Sequence, residues 1–235
     1  MTQIVNNKFS SFRGIKAYLE LELSQPHIPP HRSFAQLAFL RNGNKLYFRA
    51  FSALTPRYFT LISKEGTFWL EIPKAKTVYT GPLEAIGQEN FELKVSPQDF
   101  QKLIIPNPIE TPADNIHVIE QPLYWIVSIH TPIVGVQGTS RSPKQRELWI
   151  QKQGFEIIKE IRYSVNETPF LEIGWGEFEK SNDGRTFPHL ITLFKPQTGY
   201  QLRLRLKKLE ATDNIPQELF ELRDLEGFKV ERISV

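Results

Sequence analysis

The sequence predicts an α+β, β-rich fold in which a curved, one-sided sheet carries most of the chain. Three observations point there. Between Asn44 and Gly81, short aromatic-rich segments alternate apolar and polar side chains and break at turn residues. The second half repeats that pattern at 123–130, 147–152, 155–163, 169–179, 187–194 and 200–209. Helical character is confined to residues 2–12 and a segment starting at Ser96, too little to cover so large an apolar face.

The elements follow in order. Val5, Phe9 and Phe12 recur at helical spacing, so 2–12 reads as a short amphipathic helix. Ala17, Leu19, Leu21 and Leu23 alternate with polar neighbours in a first strand that the Pro-rich run SQPHIPPH is expected to end. Strands at 33–41 and 45–52 flank Asn42-Gly43, a dipeptide that tolerates positive φ and favours a hairpin. Two more, at 57–63 and 66–72, meet at Glu65-Gly66, and a shorter one follows at 76–80.

Ser96-Pro97-Gln98-Asp99 opens a helix with an N-cap hydroxyl, a proline at its first position and an acid in its first turn. Phe100, Leu103 and Ile104 are its expected buried stripe. The prolines of PNPIETPADN make 106–115 an irregular connector between two halves of the sheet. Ser181-Asn182-Asp183-Gly184 is one of the turns beyond it, and no repeat or low-complexity run interrupts the pattern.

At 235 residues the chain suits a single β-rich domain spanning 1–235. Its 29 basic and 26 acidic residues are scattered, which argues against a nucleic-acid footprint and leaves open a weak preference for anionic surfaces. In the strand QLRLRLKKL, Leu202, Leu204 and Leu206 share one face while Arg203, Arg205 and Lys207 share the other, a pattern expected of a solvated outer surface. The start, MTQIVNNKFSSFRG, lacks the basic and unbroken apolar stretches of a signal peptide, and no segment has the roughly 18 consecutive apolar residues of a membrane span.

Most site chemistries find no foothold. There are no cysteines, so thiolate nucleophiles and Cys-type zinc sites are excluded. His27 and His31 share a metal-like spacing, but Pro29 and Pro30 between them prevent a common helical face. No nucleophile elbow, P-loop, dinucleotide fingerprint or zinc-protease motif occurs, and Gly174-Trp175-Gly176 lies within a strand pattern, where it marks a bend or bulge. Acids paired at i, i+2, such as Glu20 with Glu22 and Glu177 with Glu179, are ordinary on a solvated strand face. The expectation is a non-enzyme with no catalytic residue, metal or cofactor.

The order of these elements, with the TFWLEIPKAKTVYTG segment, the small helical insert and the terminal IPQELFELRDLEGFKVERI, resembles the LolA/LolB superfamily of bacterial lipoprotein carriers and receptors. Phe68 to Gly81 is similar to the family strand that ends on an exposed aromatic and a glycine turn, and Phe220 to Val230 to its closing strand. The resemblance implies an unclosed antiparallel β-barrel of about ten strands, with helices plugging or lidding its concave apolar face. It also implies a function: binding the acyl chains of a lipid or lipoprotein and transferring them between envelope membranes. Such a protein would be a periplasmic monomer that contacts membrane surfaces and binds no nucleic acid. It would be anchored to the outer membrane if a lipidated cysteine preceded the chain. A half-barrel used instead as a regulatory or assembly module for a protein partner is the competing reading.

On this basis the expected cleft is lined by Leu21, Phe48, Phe68, Leu70, Trp125, Val127, Ile173, Leu202 and Leu204, each apolar beside a polar neighbour. Leu54, the bulky apolar residue of Ser52-Ala53-Leu54-Thr55-Pro56, stands where receptors of the family carry a membrane-inserting loop. Arg49 in LYFRAF stands nearest to the arginine that latches the lid in family carriers. Moving acyl chains out of water is worth about 0.8 kcal/mol per methylene, so even a shallow cleft binds usefully.

Overall fold

The computed structural model describes residues 13–52, 57–83, 85, 103, 109, 111–130, 143–181, 184–212, 214–222 and 225–234. The expected helix at 2–12 and all of the expected helix from Ser96 except Leu103 lie outside these residues, as does Leu54.

Among the described residues, fourteen strands form one sheet. They are β1 (Gly14–Gln25), β2 (Ile28–Leu40), β3 (Lys45–Phe51), β4 (Phe59–Lys64), β5 (Thr67–Ile72), β6 (Thr77–Pro82), β7 (Ile116–Glu120), β8 (Tyr124–His130), β9 (Lys144–Gln151), β10 (Ile157–Tyr163), β11 (Pro169–Lys180), β12 (Thr186–Lys195), β13 (Tyr200–Ala211) and β14 (Lys229–Arg232). The chain meanders from β1 to β6, resumes at the far edge with β7, and meanders back until β13 pairs with β1. The two halves thus share one central seam, with Leu21 opposite Leu204 and Leu23 opposite Leu202. The outermost strands, β14 and β7, do not pair with each other, so the sheet is an open half-barrel.

Alternation sorts the side chains to two faces. On β1, Ile15, Ala17, Leu19 and Leu21 are buried while Lys16, Tyr18, Glu20 and Glu22 are not. The register carries that inner face across the sheet through Phe48, Leu61 and Leu70 on one side and Leu202, Leu193 and Ile173 on the other. These residues belong to one apolar cluster. A smaller cluster on the outer face joins Ala38, Leu40 and Ile62 to Ile215 and Phe220, where the chain after β13 straps across β3 and β4.

Several expectations need correction. The run SQPHIPPH breaks the chain only at Pro26 and His27, and β2 begins at Ile28. Pro29 and Pro30 are tolerated because β3 pairs with β2 only as far as Phe34, so that among the described residues the start of β2 is an edge with β1 as its one neighbour. In the turn after β2, positive φ falls on Gly43 and Asn44, one position later than Asn42-Gly43, whereas Glu65 and Gly66, where the next two strands were expected to meet, both take it. The stretch marked only as connector ends in a short 3-10 turn at Ala113–Asn115, and strand β7 directly follows it at Ile116–Glu120, where no strand was expected. The sheet holds fourteen strands where about ten were expected, and β14 runs parallel to β6 in an otherwise antiparallel array.

Candidate functional site: the inner face of the half-barrel

The inner face brings together the cleft residues expected from sequence. Leu21, Phe48, Phe68, Leu70, Val127, Ile173, Leu202 and Leu204 are each at most 4% exposed and lie in a single cluster. Trp125 is half-buried, packs against that cluster and stacks on Phe155 with ring centroids 5.4 Å apart. Beside them β11 contributes Trp175, which points inward between Gly174 and Gly176. A side chain at position 174 would meet the Thr192 hydroxyl at 2.7 Å, so the glycine there lets β11 and β12 approach closely.

The face was expected to be under-filled, yet these side chains are shielded from water. Leu83, Ala85, Leu103 and Ile109 explain the difference: they join the same cluster from the segment between β6 and β7. In that segment the Leu103 carbonyl accepts a hydrogen bond at 2.7 Å from the Trp175 indole N–H, which ties it to the second half of the sheet. A buried donor and acceptor satisfy each other there, where leaving either alone costs about 1–3 kcal/mol.

Arg49, expected as the latch, stands on the other side. It lies between Phe48 and Ala50 on β3, both buried inward, and opposite Thr60 of β4. It lines an outer recess with Tyr47, Trp69, Glu71 and Leu219, beneath the strap. Strand period two dictates this placement: inward Phe48 forces Arg49 outward. The expectation of a lid latch at Arg49 is therefore corrected.

The inner face also carries a buried charge cluster, Glu160 with Arg146 and Arg162. Glu160 of β10 is 1% exposed, and its two oxygens accept from Arg146 Nη2 at 2.9 Å and from Arg162 Nε at 2.7 Å. Burial alone pushes this carboxyl up, but the Arg146 and Arg162 guanidiniums outweigh burial and hold it below the usual range. Sequence alternation missed the group. A register shift between Ile157 and Lys159 leaves Ile158 as an extra residue, which turns Glu160 toward Leu148 and Ile173.

The outer face is solvated and paired. Arg205 forms a bidentate pair with Glu177, Lys207 meets Glu20 at 3.1 Å and Arg32 meets Glu22 at 2.8 Å. Of the i, i+2 acids, Glu20 and Glu177 are thus partners of the basic ladder, whereas Glu22 pairs with Arg32 of β2. His31 contacts the Tyr58 ring, and the His117 and His130 rings lie 4.9 Å apart. Among the described residues no three His, Cys, Asp or Glu groups converge in a metal-like cluster, and no helix is long and apolar enough to cross a membrane.

Comparison with known proteins places this architecture. No family model matches the chain, and no curated protein matches it. Solved structures do. A domain from Vibrio parahaemolyticus described as an outer membrane lipoprotein-sorting protein superposes with a TM-score of 0.66 at 12% identity, over 93% of both chains. A DUF1329 family protein from Desulfovibrio piger gives 0.64 at 13% identity, over 94% of both. A LolA superfamily protein from Nitrosomonas europaea gives 0.60 at 14% identity, over 94% of this chain and 97% of that one. Similarity at this level of identity speaks to the fold, and the fold of this chain is LolA/LolB-like.

Proposed function

We propose that the protein binds acyl chains of a lipid or lipoprotein against the inner face of the half-barrel and transfers them between envelope membranes. One observation carries this reading. A continuous apolar face spanning both halves of the sheet is covered by a chain segment contributing Leu83, Ala85, Leu103 and Ile109, instead of by a second sheet. A cover of this kind can yield to a ligand, because the apolar contacts it makes are replaced by those of an acyl chain. Release requires the reverse exchange, which a non-directional apolar surface permits.

The lipoprotein-sorting description of the Vibrio parahaemolyticus domain supports the same direction. On this reading the protein is a non-enzymatic periplasmic carrier or receptor that meets membranes during transfer, with Leu54 as its insertion tip. The test is native mass spectrometry of the protein purified from its own cells without detergent. Co-purified lipid in a one-to-one complex supports the proposal. A protein that emerges empty and takes up no fatty acid contradicts it and favours the partner-binding module.

A further inference from the structure

A hydroxyl lies buried in the apolar face without a partner. On β4, Phe59 and Leu61 pack in the inner cluster, and period two puts Ser63 on the same side. Ser63 is 0% exposed. Register sets it between Leu46 of β3 and Phe68 of β5, both fully buried members of that cluster, with Phe39 beyond Leu46 in the same row. Among the described residues, the Ser63 Oγ has no hydrogen-bond partner. Thr60, the other such hydroxyl, lines the outer recess instead.

A hydroxyl moved from water into apolar surroundings destabilises a fold unless something bonds it. It carries one donor, and the atom of an acyl chain that answers a donor is the carbonyl oxygen. Charge narrows the choice. The lysines that flank this row in the chain are engaged on the outer face: Lys45 Nζ donates to Gln217 of the strap at 2.7 Å, and Lys64 Nζ lies 5.8 Å from the Trp69 ring centroid. The row itself is apolar, so a neutral ester carbonyl suits it better than a carboxylate. Position agrees with this. Ser63 is one residue from the end of β4, and the turn that follows holds the start of the cover, where the Leu83 N–H donates to the Gly66 carbonyl at 2.9 Å. A carbonyl bound at Ser63 leaves a headgroup at the rim while the chain runs along the face toward Leu61 and Phe59.

Resting on the acyl-binding reading above, we propose that Ser63 is the polar anchor of the site, donating its hydroxyl to the carbonyl oxygen of an ester-linked acyl chain and setting which end of the face the ester occupies. The bond forms as the cover yields to the ligand. The hydroxyl that weakens the ligand-free fold therefore steadies the loaded one.

Infrared difference spectra of methyl decanoate, isotope-labelled at its carbonyl, test the assignment together with calorimetric titration. In the intact protein the bound ester band should lie at lower wavenumber than in hydrocarbon solvent, the signature of an accepted hydrogen bond. Ser63→Ala should return the band to its hydrocarbon position and weaken ester binding about two- to tenfold. Without ligand, Ser63→Ala should melt at the same temperature as the intact protein or higher, because the hydroxyl it removes had no partner. Decanoate at pH 7 should bind less tightly than the ester. An ester band at the hydrocarbon position in the intact protein, or a shifted band that Ser63→Ala leaves in place, overturns the anchor while sparing the acyl site. A ligand-free variant that melts clearly lower reveals a hydroxyl already bonded within the fold and also overturns it. Tighter binding of decanoate than of the ester overturns the choice of a neutral carbonyl. If neither ligand binds, the acyl-binding reading itself fails.

Discussion

The Trp175 indole N–H and the Leu103 carbonyl meet at 2.7 Å in a buried bond that joins strand β11 to the segment covering the inner face. It links residues 72 positions apart, both of them members of the buried apolar cluster. Trp175→Phe keeps an aromatic ring and removes the donor, leaving the Leu103 carbonyl buried without it. The expected result is a loss of about 1–3 kcal/mol in chemical denaturation, together with faster uptake of a fluorescent fatty acid in stopped flow. A destabilised variant with unchanged uptake would mean that the bond holds the fold without gating the face.

Glu160 should be a strong determinant of stability. Glu160→Gln leaves Arg146 and Arg162 without the carboxylate that both contact, and removal of one partner from a buried pair costs roughly 3–5 kcal/mol. Because the folded carboxyl lies below its usual value, the contribution is fully present above the unfolded value, about 4.3, and drains away as pH falls through the folded one. Urea titrations at pH 7 and pH 3 should therefore show a wide gap between the two proteins that narrows in acid. A gap of equal width at both pH values would show that the ionised carboxylate is not its source.

Phe48 is fully buried in the centre of the inner face and stacks near Phe59 with centroids 5.8 Å apart. Phe48→Ala should cost about 3–5 kcal/mol in thermal or chemical unfolding. A long-chain fatty acid that fills the resulting cavity should recover part of the loss, visible as a larger ligand-induced rise in Tm than the unaltered protein shows. No added rise would place Phe48 away from the ligand.

Leu54 comes after a strand that ends at Phe51 and, in sequence, two residues before Pro56. As a membrane-inserting tip, Leu54→Glu should leave Tm nearly unchanged and slow lipid delivery to vesicles. Rim packing predicts the opposite pattern, a loss of about 1–3 kcal/mol with delivery intact. Loss of neither sinks both accounts.

Much of the inner face was legible because strand period two leaves a direct trace: Leu21, Phe48, Leu70, Ile173, Leu202 and Leu204 each stand between polar or outward neighbours, and register carries them to one side. Glu160 was not legible, since the one extra residue near Ile158 inverts the faces of KEIR without changing composition. Of the covering residues, Leu103 was legible as part of an apolar stripe, but nothing local tells which sheet face a distant segment will pack on. Arg49 shows the converse. Alternation beside Phe48 already put it outside, and family resemblance suggested an inward role that the register does not allow. The N-terminal part of β2 was hidden by Pro29 and Pro30, whose tolerance depends on β3 ending early, a tertiary fact.

The central claim is that acyl chains lie on the inner face, and photo-crosslinking tests it most directly. A fatty acid bearing a mid-chain diazirine would be bound, irradiated and mapped by peptide mass spectrometry. The account predicts adducts on inner-face residues such as Phe48, Leu70, Ile173 and Leu204, suppressed by excess unlabelled fatty acid. Adducts confined to the outer recess around Tyr47, Trp69 and Leu219, or none that competitor displaces, would contradict it.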